Sequence, residues 1–76
     1  MNKQRRTRLK QDARSYLERA LSIVSSVKDE EQDSLDNYPE NLQGGDRYAA
    51  SETAIDELED AVDHIEQAIE NIDNAC

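Results

Sequence analysis

An unbroken stripe of mostly apolar residues runs through the second half of the chain and dictates a long helix. Its members recur at alternating steps of three and four residues, the spacing that places side chains on one face of an α-helix. A stripe of this kind is typical of coiled coils and needs a partner helix to cover it. We call it the downstream stripe, and its members are Tyr48, Ser51, Ile55, Leu58, Val62, Ile65, Ile69, Ile72 and Cys76.

The same rhythm occurs earlier in the chain and predicts a second helix. This upstream stripe consists of Leu9, Ala13, Tyr16, Ala20, Ile23 and Val27. Leu17, Leu21 and Val24 make it wider than a strict two-stranded coiled coil requires. The two helices of the chain are therefore expected to pack against each other through part of their apolar stripes. The extra width of the upstream stripe favours a bundle of more than two helices.

Helix-breaking residues lie only in the middle of the chain. Pro39 moves the residue before it out of the α-helical region, and Gly44 and Gly45 favour the end of a short turn. The sequence predicts a single domain over residues 1–76, and its parts are helix 1 over about 5–37, a connector at 38–45 and helix 2 over about 46–74. Because a short connector makes two long helices antiparallel neighbours, we predict an all-α fold, an antiparallel two-helix hairpin that oligomerises, with a dimeric four-helix bundle as the first choice.

The connector carries its own local signals. Pro39 is favoured in a first helical turn, so the segment from Pro39 to Gln43 is expected to form a short helical turn. Leu42 is the expected anchor of this turn on the bundle. Asp46 is the expected N-cap of helix 2, because its side chain can accept a hydrogen bond from the first free backbone N–H groups.

Charge is strongly polarised along the chain, whose net charge is −9. Residues 1–28 carry eight Lys or Arg against two acidic residues, whereas residues 29–76 carry sixteen acidic residues against Arg47. An antiparallel pair of helices places the basic start of helix 1 beside the acidic end of helix 2. With only fourteen Leu, Ile and Val side chains and no Trp or Phe, an isolated hairpin is marginally stable, which favours self-association.

Several classes of function have no support in the sequence. No apolar run is long enough to span a bilayer and no apolar segment follows the basic start, so we expect a cytoplasmic protein without membrane contact. Cys76 is the only cysteine and His64 the only histidine, and neither has a second metal ligand at a suitable spacing. We therefore expect no enzyme activity, no metal and no cofactor.

Two stretches are candidate ligand-binding sites. Around the connector, amide side chains, aromatic rings, glycines and one arginine surround a helix start, where backbone N–H groups favour anions. These candidates are Arg47, Tyr48, Tyr38, Asn41, Gln43, Gly44 and Gly45. The alternative interpretation is an ordinary helix connection whose two tyrosines lie on the core.

The second candidate is the basic run from Lys3 to Lys10, in which Arg5, Arg6 and Arg8 can hold an anion. Direct nucleic-acid binding is not expected, because the whole chain is acidic and no aromatic residue is interleaved before Tyr16. The alternative role is pairing with the acidic end of helix 2. A small phosphorylated ligand held between protomers fits both interpretations.

The outer face of helix 2 displays a row of carboxylates at helical spacing. This acidic row consists of Asp56, Glu59, Asp60, Asp63, Glu66, Glu70 and Asp73. Such a row can imitate a phosphate backbone and occupy the basic groove of a host enzyme. The alternative interpretation is a solvated helix face.

The segment Asp36-Asn37-Tyr38-Pro39-Glu40-Asn41-Leu42-Gln43 resembles the central stretch of a group of small acidic helical phage and prophage proteins. The resemblance implies a viral origin and hence the host cytoplasm as the location. Together with the loop and basic-run chemistry it suggests a phage counter-defence binding protein, specifically a sponge that sequesters a small nucleotide signal of host immunity. The alternatives are an acidic protein inhibitor that mimics nucleic acid, with a host protein as partner, and a structural or regulatory phage protein.

Overall fold

The computed structural model describes residues 1–76, and every regular element in it is helical. A long N-terminal helix of 34 residues is followed by a short turn and a second long helix. The elements are α1 (Lys3–Thr7), a π-helical segment (Arg8–Ala13), α2 (Arg14–Asp36), a 3₁₀ turn (Glu40–Leu42) and α3 (Asp46–Ala75). The predicted all-α class is confirmed.

The helices α2 and α3 lie side by side and run in opposite directions. Arg14 near the start of α2 contacts Asp73 near the end of α3, whereas Glu31 near the end of α2 accepts a hydrogen bond from Ser51 near the start of α3, at 2.6 Å. The chain is a narrow rod that measures 59 × 14 × 13 Å along its principal axes. Neither long helix combines the length and the apolar composition that a bilayer-crossing segment requires.

The downstream stripe is the face that α3 packs against α2. All nine of its members are buried or half-buried, and Ile55 is the most deeply buried residue of the chain, at 5 % exposed. The stripe continues for the whole length of α3 because no Pro or Gly interrupts it. This predicted packing face is confirmed.

The predicted packing face of helix 1 is wrong. Tyr16, Ile23 and Val27 of the upstream stripe are 75 %, 54 % and 46 % exposed, so these three point away from α3, whereas its other members are half-buried, namely Leu9, Ala13 and Ala20. The face that α2 turns towards α3 is shifted by one residue. We call it the buried seam, and it consists of Arg14, Leu17, Leu21, Val24, Lys28, Glu31 and Leu35.

The shift has a physical reason in the side chains of the buried seam. Within α2, this seam offers four large aliphatic side chains to α3, and they are Leu17, Leu21, Val24 and Leu35. Arg14 and Glu31 are tolerated there because their charged ends reach hydrogen-bond partners on α3, so neither is left unpaired at the helix contact.

A π-helical segment interrupts the N-terminal helix between α1 and α2. The N–H group of Arg14 donates to the carbonyl of Leu9, five residues earlier instead of four. Asn2 caps the start of α1, where its Oδ1 accepts from the N–H of Arg5 at 2.9 Å.

Three details of the connector differ from expectation. Gly45, not Asp46, occupies the N-cap position of α3, and Asp46 is the first helical residue, where its carboxylate still favours the positive end of the helix dipole. The 3₁₀ turn begins at Glu40, immediately after Pro39. Leu42 is 50 % exposed and does not anchor the turn on the helices. The carbonyl of Leu42 instead accepts a hydrogen bond from the N–H of Gly45 at 3.1 Å, which orders the end of the turn.

Candidate functional site

The two tyrosines of the connector region pack against each other. The ring centroids of Tyr38 and Tyr48 are 5.5 Å apart and the ring planes meet at 66°, an edge-to-face arrangement that stabilises aromatic pairs. Both side chains are half-buried. Tyr48 also lines a shallow hollow with the two most buried residues, Leu35 and Ile55. The tyrosines therefore take part in the packing of this end of the helices, as the alternative interpretation expected.

The hollow beside Tyr48 is strongly acidic. Its polar lining is Gln32, Asp36, Glu52, Asp56 and Glu59. Four carboxylates at this position repel an anion, so the hollow itself does not favour a phosphate. Asp56 and Glu59 belong to the acidic row, whereas Gln32, Asp36 and Glu52 were not predicted as site residues. The four-residue steps from Gln32 to Asp36 and from Glu52 to Asp56 place each pair on one helix face.

The polar residues of the connector are exposed and largely free. Arg47 makes no ion pair and no side-chain hydrogen bond, and Asn41 makes no side-chain hydrogen bond. The amide of Gln43 donates to the carbonyl of Tyr38 at 3.4 Å, a long contact. Arg47 is therefore available to an anion that approaches the start of α3 from solvent.

The two glycines adopt no backbone conformation that requires glycine. Neither has a positive φ. A Cβ atom at Gly44 would meet nothing within 4 Å, whereas one at Gly45 would lie 3.3 Å from the carbonyl oxygen of Leu42. Only the close approach of a ligand to the backbone would make Gly44 necessary.

The basic run forms no ion pair within the protomer. All residues of α1 are exposed, and Arg5, Arg6 and Arg8 form no ion pair. The expected pairing with the acidic end of helix 2 is made instead by Arg14, which lies after the run. Three guanidinium groups thus remain free at the end of the rod.

Arg14 forms a bidentate contact with Asp73. Its Nε donates to Oδ1 at 2.7 Å and its Nη2 to Oδ2 at 3.2 Å, and Arg14 also pairs with Glu18 one turn away. The hydrogen bonds from Arg14 lower the pKa of Asp73, and the positive charges of Arg14 and Lys10 lower it further. The same contact with Asp73 raises the pKa of Arg14. This pair ties the start of α2 to the end of α3.

The structure places the predicted site residues in two separate groups. Arg5, Arg6 and Arg8 lie at the end of the rod where α2 begins, whereas the connector lies at the opposite end, where α2 gives way to α3. The connector group comprises Tyr38, Asn41, Gln43, Gly44, Gly45, Arg47 and Tyr48. A single protomer does not bring the two groups together.

A second surface at the basic end was not predicted from the sequence. Arg5 and Arg8 share a shallow concave surface with Tyr16, and its other lining residues are Met1, Leu9, Asp12 and Ala13. Arg5, Arg8, Asp12 and Tyr16 follow one another at steps of three and four residues, so they lie on one helix face. Helical spacing alone therefore gives this surface, but the sequence pattern assigned the arginines to the basic run and Tyr16 to the upstream stripe.

The acidic row of α3 is exposed along its whole length. Only Asp73, at its end, forms an ion pair. No three His, Cys, Asp or Glu side chains converge closely enough to hold a metal ion.

No family model, curated protein or solved structure matches the chain.

Proposed function

We propose that the chain is a phage counter-defence protein that binds its target without catalysis, and that it sequesters a small anionic nucleotide signal of host immunity in the host cytoplasm. One observation carries the binding proposal. Four arginines, Arg5, Arg6, Arg8 and Arg47, are exposed and free of carboxylate partners in a chain with twice as many acidic as basic residues.

Unpaired guanidinium groups suit a phosphate ligand. Arginine presents its N–H donors in a planar fork that matches two phosphate oxygens. Beside Arg47, the amides of Asn41 and Gln43 can donate to base or sugar oxygens, and the start of α3 offers free backbone N–H groups. A small nucleotide fits these groups better than a long polyanion, because the acidic row repels a nucleic acid that extends along the rod.

The proposed protein is a helical hairpin that self-associates. Its support is the exposed apolar area of α2, where Tyr16, Ile23 and Val27 remain uncovered within the protomer. Exposed apolar side chains that form a continuous stripe mark an interaction surface. The phage assignment is supported by the resemblance of residues 36–43.

Calorimetric titration with a panel of linear and cyclic di- and trinucleotides tests the sponge function. We expect Arg47→Ala to abolish the binding heat and to leave the circular dichroism spectrum unchanged. Arg19→Ala is the matched control, because Arg19 is exposed, unpaired and outside both groups. Absence of binding by the intact protein to every member of the panel would refute the nucleotide class.

Native mass spectrometry of protein purified from host cells complements the titration. We expect a retained small ligand only when nucleotide signalling in the host is active. The same spectrum gives the number of subunits. A ligand-free protein from signalling cells would contradict the sponge function.

The exposed acidic row favours one second candidate, an inhibitor that mimics nucleic acid. Under this function the triple change Asp56→Asn, Asp60→Asn and Asp63→Asn removes inhibition of a basic host enzyme, and Arg47→Ala has no effect. Under the sponge function, Arg47→Ala abolishes activity and the triple change has little effect. Indifference to both sets of changes would count against both functions.

A further inference from the structure

The large apolar side chains of the upstream stripe in α2 have no partner in the protomer. Tyr16, Ile23 and Val27 are its exposed members, and they follow one another at helical spacing along α2. The opposite side of α2 is already covered by α3 through the buried seam. The exposed face therefore belongs to the N-terminal helix alone, and its occupant must come from outside the protomer.

The charges that flank the stripe identify this occupant. Residues 1–14 of the N-terminal helix carry six basic side chains against Asp12, and residues 29–36 carry five acidic side chains and no basic one. We propose that a second copy of the chain covers the upstream stripe with its own N-terminal helix, antiparallel to the first. This inference rests on the self-association in the proposed function and specifies the surface and the orientation.

Side-chain size supports one register of the two helices. A twofold axis beside Glu18 places Tyr16 opposite the partner's Ala20 and Ile23 opposite the partner's Ala13. Leu9 then lies opposite the partner's Val27. Each large side chain meets a small one in the middle of the contact, which is how closely packed helices interdigitate.

The same register joins opposite charges at both ends of the stripe. Arg5 lies on the face of Tyr16, because the two residues are eleven positions apart, about three helical turns. Glu30 is exposed and continues the upstream stripe beyond Val27 at a step of three residues. The antiparallel register therefore places Arg5 beside the partner's Glu30, twice per dimer. A parallel arrangement instead places basic ends together and acidic ends together, which opposes association.

The dimer also unites the two groups of candidate ligand residues. In the antiparallel register Met1 lies opposite the partner's Leu35, one turn from the connector of the second copy. Arg5 and Arg8 of one protomer then lie at the same end of the dimer as the partner's connector, whereas within a single chain they lie at the far end of the rod. The second copy thus places the two groups at one end of the assembly, which a single protomer does not.

Disulfide trapping tests the orientation. In a Cys76→Ser background, Ala13→Cys and Ile23→Cys lie opposite each other across the proposed axis, whereas two copies of position 13 lie roughly 15 Å apart along it. A disulfide requires Cα atoms within about 7 Å. We expect a covalent dimer when the two variants are mixed and oxidised, and no covalent dimer from the Ala13→Cys variant alone.

The outcomes separate this inference from self-association itself. A covalent dimer from the Ala13→Cys variant alone would show a parallel contact and overturn the proposal. Light scattering that finds a dimer whose mixed variants stay uncrosslinked would overturn the proposed surface but leave self-association intact. A monomer in light scattering would overturn both.

Charge reversal provides a second, independent measurement. Arg5→Glu replaces two attractions per dimer by repulsions, so we expect the dimer Kd in sedimentation to rise roughly tenfold. The double change Arg5→Glu with Glu30→Arg restores the attraction and should return the Kd to its original value. Arg6→Glu is the matched control, because Arg6 does not line the surface shared by Arg5 and Tyr16. Equal weakening by both single changes, without rescue, would contradict the register.

Discussion

Arg14 is the one residue whose side chain forms an ion pair between the two long helices. It reaches Asp73 with two donors while most of its neighbours in the buried seam are aliphatic. The side chains of Arg14 and Asp73 are 34 % and 46 % exposed, so water partly screens the pair. Its effect on stability is therefore best measured through its dependence on pH.

Replacing Asp73 should change the acid sensitivity of the protein. Because the pKa of Asp73 is lowered in the folded state, the contact stabilises the fold above the ordinary carboxyl pKa of about 4, and the contribution is lost as the pH falls through the lowered value. We expect Asp73→Asn to lower the urea midpoint at pH 6, with a difference from wild type that shrinks towards zero in acid.

Glu70→Gln is the matched control for this measurement, because Glu70 lies in the same part of α3, is exposed and has no ion pair. Its urea midpoint should not fall below that of the wild type at pH 6. A drop of equal size for both variants would show that the Arg14 contact contributes nothing specific.

Alanine substitutions at the two connector glycines test whether the fold itself requires glycine there. Gly44 has an ordinary backbone conformation and open space at its Cβ position, so Gly44→Ala should stabilise the fold by about 0.4–1 kcal/mol, because the unfolded chain loses freedom. Gly45→Ala should gain less, because its Cβ would press on the carbonyl of Leu42 at 3.3 Å. Thermal unfolding of both variants measures the difference, and a destabilising Gly44→Ala would contradict the open position.

At the scale of the helices, burial should decide the cost of removing a side chain. Ile55 is 5 % exposed, so we expect Ile55→Ala to lower the free energy of unfolding by about 2–5 kcal/mol. Leu42 is 50 % exposed, and Leu42→Ala should cost less than about 1 kcal/mol. Denaturant titration of the two variants gives both values, and similar costs would show that Leu42 has a packing role that the structure does not indicate.

The two helices differ in how well their sequence predicts their packing. Along α3 only one face is apolar, and every member of the downstream stripe is buried or half-buried. Along α2 two apolar series overlap with an offset of one residue, such as Tyr16 and Leu17 or Ile23 and Val24. Periodicity identifies both series but does not decide which one faces α3. That choice depends on the fit to α3 and on the partners of Arg14 and Glu31, which are properties of the folded pair.

The sequence likewise predicted some features of the candidate site and not others. Sequence pattern identified the connector residues and the arginines of the basic run as chemically suited to an anion. The predicted hairpin also puts the basic run at the end away from the connector, whereas the π-helical segment (Arg8–Ala13) was not predicted, because it depends on the course of the backbone. The sequence pattern assigned Asp56 and Glu59 to the acidic row but did not predict that they lie around Tyr48 together with Asp36 and Glu52.

At the scale of the whole molecule, repulsion among carboxylates should dominate the response to salt. The acidic row lies exposed along α3, and the chain carries a net charge of −9. Because added salt screens this repulsion, we expect moderate salt to raise the melting temperature. Deletion of residues 2–8 removes four basic charges and should steepen the dependence.

The triple change Asp56→Asn, Asp60→Asn and Asp63→Asn provides the opposite control, because it removes three exposed carboxylates without touching the buried seam. Its melting temperature should depend less on salt than that of the wild type. A melting temperature that falls with salt in the intact protein would show that contacts between opposite charges dominate.

The tyrosine pair at the connector gives the protein two separate optical probes. The chain has no tryptophan, so its ultraviolet fluorescence comes from three tyrosines alone. Tyr38 and Tyr48 are in edge contact, whereas Tyr16 stands isolated on the exposed face of α2. With Tyr38 and Tyr48 changed to phenylalanine, emission comes only from Tyr16, and its quenching by a dissolved solute reports how far solvent reaches that face. The paired rings, held at a fixed angle, instead give a near-ultraviolet dichroic signal that follows the order of the connector.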